Sequence, residues 1–193
     1  MRRAVFLFLI ISALGLAAIW LSGRGGDEGL ETAYSAPELE PLKPLEAART
    51  ADLLTDALLR QVYDGFAQTG EEAIYDTLAV AVGKTALETL YLERAGALAR
   101  TGLEGADQTV HDMRVTRISA KREGVVLLVD ATWQVLATVG HEEHKHARGN
   151  SYRADLRIEP IDGRWAITDF SLTDVDRTTA SGEPLPSTEG DNG

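Results

Sequence analysis

The sequence predicts an α+β fold, and a change of period partway along the chain is the main reason. Between residues 46 and 100 apolar side chains recur about every four positions, as on one face of a helix. From about residue 109 they recur every second position, as on one face of a strand. An Asp162-Gly163 pair between two such strands is a hairpin signal. The expected architecture is an N-terminal transmembrane helix, then three helices packed on a curved antiparallel sheet of four or more strands.

The transmembrane helix rests on "AVFLFLIISALGLAAIWLS", Ala4 to Ser22, which carries no charge and follows Arg2 and Arg3. At about 1.5 Å per residue this run is just long enough for a hydrocarbon core of roughly 30 Å. Arginines on its short side predict a cytoplasmic N-terminus, with everything after Ser22 outside the cytoplasm. A cleaved signal peptide is the alternative, with Gly15 and Ala17 as small residues before a cut. The run continues through Trp20 and Leu21, longer than an ordinary signal core, and so favours an uncleaved anchor. Residues 1–22 are thus expected as an anchor in a bacterial inner membrane, with the rest in the periplasm.

Residues 23–45 hold several glycines and three spaced prolines, Pro37, Pro41 and Pro44, and are expected to be an extended linker. Residues 46–177 form the expected domain, and the small polar residues 178–193 the expected disordered tail.

In the domain, Leu54, Leu58, Val62 and Phe66 mark the inner face of the first helix. Glu71 and Glu72 favour the start of a second, where carboxylates meet the positive end of the helix dipole. Leu87, Leu90, Tyr91 and Leu98 line a third, which Thr101-Gly102 ends. The first strand covers residues 109–122 and turns at Glu123-Gly124. In the second, every odd position from Val125 to Val139 is apolar. The third points Tyr152, Ala154, Leu156 and Ile158 inward, and "RWAITDFSLTDV" returns as the fourth.

Composition removes several functions. There is no cysteine, which excludes disulfides, thiolate zinc sites, cysteine catalysis and a lipidated start. The formal net charge is −11, and no basic stripe relieves it, so nucleic acid is not an expected partner.

Three of the four histidines fall in "GHEEHKHARGN". A tight hairpin at Glu142-Glu143 would pair His141 with His144, Val139 with His146, Val135 with Asn150 and Trp133 with Tyr152. His141, His144 and His146 would then cluster near the tip, a candidate Zn²⁺ or Cu²⁺ site. The plainer reading is a solvated hairpin tip, and no cofactor is otherwise expected. His111 and Asp112 are a weaker candidate, an acid–base pair if His111 points into the cone. Trp133, Tyr152, Trp165 and His111 are candidate pocket-lining residues, with core packing as the alternative for the aromatics. Asp169, Asp174 and Asp176 are expected to face solvent.

Helices followed by long curved strands, with Trp133, Tyr152 and Trp165 on or near the concave face, resemble the NTF2-like (cone-shaped α+β) superfamily. The resemblance runs from about Ala51 to Asp176, and "WQVLATVGHEEHKHARGNSYRADLRIEPIDGRWAITDFSL" carries most of it. A group of membrane-anchored bacterial proteins has a similar block. The superfamily includes small-molecule enzymes and non-catalytic modules. Membrane-tethered versions resemble the periplasmic domains of secretion components that assemble with other envelope proteins. The resemblance therefore implies a membrane-anchored, non-catalytic interaction module, with other envelope proteins or a second copy as partners. Metal handling through the histidines, and a small-molecule binder or enzyme, are the alternatives.

Overall fold

The computed structural model describes residues 29–101, 107–141 and 144–178. The elements are, in order, β1 (Tyr34–Ala36), β2 (Leu39–Leu42), α1 (Pro44–Arg49), α2 (Ala51–Ala67), α3 (Glu71–Ala79) and α4 (Lys84–Thr101). Four long strands follow: β3 (Asp107–Glu123), β4 (Val126–His141), β5 (His144–Ile161) and β6 (Arg164–Thr178). All six strands form one curled mixed sheet in the order β2-β1-β6-β5-β4-β3. Among the described residues no helix is long and apolar enough to cross a membrane. The expected anchor, residues 4–22, lies outside the described residues.

The four long strands form an antiparallel meander. Along β4 the odd residues Leu127 to Ala137 are buried, while the even ones are partly exposed. Ala154, Leu156 and Ile158 of β5 share the buried side. That inner face packs against Leu54, Leu58, Val62, Ile74, Leu78, Leu87 and Leu90 from the helices in one hydrophobic cluster. The outer face is polar: Arg153 of β5 forms a two-bond pair with Asp130 of β4, and Asp155, Arg157 and Asp169 stand exposed beside it. One buried face and one solvated face is the stable arrangement for an antiparallel sheet.

The turns obey local backbone chemistry. Asp162 and Gly163 both have positive φ, 49° and 80°, as a type I′ hairpin requires. At the β3–β4 turn Gly124 takes φ 62°, a conformation glycine adopts without steric cost.

The sheet corrects the expected linker. Residues 34–42 are a β-hairpin, not a coreless tether, and β1 joins β6 in parallel at Ser35 and Arg164. Trp165 explains the docking: its indole donates to the Leu42 carbonyl at 3.0 Å and meets Tyr34 edge-on at 5.6 Å. The sheet therefore has six strands, within the expected four or more, and it is mixed rather than wholly antiparallel. The first expected helix is two, broken at Thr50, whose φ of −115° and ψ of 36° leave the helical region. α1 starts on Pro44, at the first helical position that proline suits, and Glu46 accepts the Lys43 backbone N–H at 2.9 Å. β6 runs to Thr178, which is buried; residues 179–193 lie outside the described residues.

The α3–α4 connection is held to the sheet by its backbone. Ile167 donates to the Ala81 carbonyl at 2.8 Å, and Gly83 donates to that of Ile167 at 2.9 Å, a parallel bridge onto the edge of β6. Arg164 adds a bond to the Ala79 carbonyl at 2.8 Å, at the end of α3.

Close packing of α2 on α3 depends on Gly65. A Cβ there would sit 2.8 Å from Cγ and Cδ2 of the fully buried Leu78. Leu78 has no room to move, so Gly65→Ala should lower stability by about 1–3 kcal/mol, measured by denaturant unfolding. An unchanged midpoint would mean that the two helices separate without cost.

Candidate functional site

The helices cover the inner face of the sheet near the turns at Gly124 and Asp162-Gly163, where the core is filled. Toward the other end of β5 and β6 a cleft of about 240 Å³ opens. α2 supplies Tyr63, Phe66 and Ala67, α4 supplies Glu93 and Arg94, and β3 and β5 supply Val110 and Tyr152. Leu172 and Val175 share the inner face of β6 in register with Ala154 and Tyr152, and they are 46% and 49% exposed. The open end of the half-barrel is thus apolar where water reaches it.

An aromatic relay builds the floor. Trp133, 2% exposed, stacks on Tyr152 with centroids 5.6 Å apart and an interplanar angle of 19°. It meets Phe170 edge-on at 6.2 Å. The Trp133 indole N–H donates to the Tyr63 hydroxyl at 2.9 Å, and Tyr63 meets Phe66 edge-on at 6.0 Å. The Asn150 side-chain amide donates to the Tyr152 hydroxyl at 3.0 Å. Burial, only partly offset by the Trp133 bond, raises the Tyr63 phenol far above its ordinary pKa, so it stays protonated.

Arg94 is the polar feature of the cleft. Its Nη2 donates a long 3.5 Å bond to the Gln68 carbonyl, and its buried Nε has no partner. Among the described residues no carboxylate pairs with it, and burial alone shifts its pKa, downward. Its position was readable in outline: Arg94 follows Leu90 by four residues and Tyr91 by three, on the stripe that also carries Leu87.

The candidates read from sequence separate. Trp133 and Tyr152 come together at the cleft. Trp165 sits near the other end of the sheet, fully buried against Tyr34 and the Leu42 carbonyl. His111 occupies a bulge where the β3–β4 register shifts; it is exposed, and its ring shares a hydrogen bond with Thr138. Asp112 instead lies 3.5 Å from Arg114. His141 is the backbone partner of His144, and Val139 that of His146. The side chains of these three histidines, and Glu142 and Glu143, lie outside the described residues. Asp169, Asp174 and Asp176 are exposed.

No family model matches the chain, and no curated protein does. Among solved structures, the chain is similar to the intermembrane-space region of the chloroplast protein ARC6, at 18% identity and a TM-score of 0.46. That likeness covers 70% of this chain and 98% of the other. A de novo designed β-sheet protein is similar at 12% identity and a TM-score of 0.31, over 77% of this chain and 98% of its own.

The Trp133–Tyr63 bond makes a double-mutant cycle informative. Tyr63→Phe leaves a buried indole N–H unpaired and should cost about 1–3 kcal/mol. In a Trp133→Phe background the same change should cost clearly less. Equal costs in both backgrounds, by chemical denaturation, would show that the bond contributes nothing.

Proposed function

We propose that this protein is a membrane-tethered, non-catalytic recognition module of a bacterial envelope, with the open end of its half-barrel as the recognition surface. One observation carries the reading. Among the described residues, the concave face is filled where the helices cover it and accessible and apolar at the mouth, where Leu172 and Val175 stand half-exposed beside the cleft. The charged outer face reads as solvated. The uncharged run at residues 4–22 supports an inner-membrane anchor with a cytoplasmic N-terminus and a periplasmic domain. Such an anchor raises the effective concentration of neighbours, so modest contacts suffice for assembly with other envelope proteins or a second copy. Helices preceding long curved strands, with aromatics on the inner face, support a place among the NTF2-like cones.

A photo-crosslinking amino acid at Leu172, in the full chain in its native envelope, should give discrete adducts that the same probe at Arg157 does not. Identical adduct patterns from the two faces would sink the assignment of the mouth.

The β4–β5 register favours a second reading, metal handling. His141 and His144 are directly cross-strand, and His146 follows two residues along β5, so all three backbones sit at one hairpin end. Zn²⁺ or Cu²⁺ titrated calorimetrically into the full chain should then bind 1:1 with about micromolar affinity or tighter. Alanine at His141, His144 and His146 together should abolish it. Equal weak binding by both proteins would leave these residues as a solvated tip.

A further inference from the structure

We propose that the mouth cleft binds a small organic acid, its apolar or aromatic body against Phe66 and Val110 and its carboxylate toward Arg94. This deepens the reading of the mouth as a recognition surface and rests on it.

The hydrogen-bonding capacity of the lining points this way. The Tyr63 hydroxyl oxygen already accepts from Trp133, and the Tyr152 hydroxyl oxygen accepts from Asn150. Each phenol therefore has its own hydrogen left to give. Arg94 can only donate, and it lines the same cleft. Three donor-bearing side chains thus line one largely apolar cleft and, among the described residues, one carboxylate does, Glu93, which is exposed and not paired with Arg94. Arg94 is partly buried, and among the described residues no carboxylate pairs with it. A carboxylate ligand would meet its guanidinium through charge-assisted bonds, stronger than neutral ones.

The size agrees. About 240 Å³ is below the range of roughly 300–1,000 Å³ typical for drug-sized ligands. The space suits one ring and one acid group, and Tyr152, held flat by its stack on the buried Trp133, offers that ring an aromatic wall.

The test compares fluorophenylacetate with fluorophenylacetamide, two probes of the same shape that differ in charge, by fluorine NMR on the full chain in lipid nanodiscs. The acid should bind, and the amide should bind about tenfold more weakly or worse. Arg94→Gln should weaken the acid by a similar factor and leave the amide unchanged. Ala67→Trp, which fills the cleft from the end of α2, should abolish binding of both. Acid and amide binding equally to the unaltered chain, with Ala67→Trp still removing both, would overturn the carboxylate assignment and leave the mouth as a recognition surface. The acid–amide comparison needs no variant, so a misfolded Arg94→Gln protein does not blunt it. Absence of acid binding to the unaltered chain, or binding that survives Ala67→Trp, would overturn the inference and count against the mouth as well.

Discussion

Everything in this domain depends on how the first four residues of β6 are gripped. Arg164 takes the end of α3, Trp165 takes β2 through its indole and β1 through Tyr34, and Ile167 exchanges backbone bonds with the α3–α4 connection. The helical layer and the N-terminal hairpin thus meet the sheet at one short segment rather than by apolar contact alone. Gly83 shows how tight the joint is, since a Cβ there would lie 2.8 Å from Cδ1 of Ile161. Backbone bonds are directional, so this joint fixes the angle of α3 and α4 over the sheet. The width of the cleft between α4 and β5 follows from that angle. The opening at the mouth is a remote consequence of the bridge at Ile167.

The division of the two sheet faces has an electrostatic meaning. The strongly acidic chain places its cross-strand ion pairs on the outer face, where solvent screens them and they contribute little to stability. The Arg153 and Asp130 shifts, one up and one down, come first from their shared hydrogen bonds. Arg94 is the opposite case, a partly buried cation whose pKa is lowered by burial. Screening over about 8 Å at physiological salt separates the two. The overall negative charge opposes an approaching acid at a distance but says little about contact inside the cleft.

How much could be read from the residues depended on how local their partners were. The β4 and β5 alternation, the Asp162-Gly163 turn and the pairing of Trp133 with Tyr152 follow from period and turn chemistry, which act over a few residues. The hairpin at residues 34–42 escaped because its strands have only three and four residues, and Pro37, Glu38, Glu40 and Pro41 break any apolar alternation around them. Their stability comes from Trp165, more than 120 residues away. His111 sits at a bulge in the β3–β4 register, which no alternation rule registers, and a single extra residue exchanges the faces of a strand. Arg94 lay in plain view on a helical stripe, but charge on an inner face becomes a signal only once its surroundings in the fold are visible.

The hairpin at residues 34–42 also sets the polarity of the molecule. Tyr34 and Ser35 enter the sheet beside Arg164, at the end that carries the Gly124 and Asp162-Gly163 turns. Val175, eleven residues further along β6, marks the opposite end. At about 3.3 Å per residue the strand path between them is roughly 36 Å. A chain held from its N-terminal side is therefore gripped at one pole and offers its opening at the other.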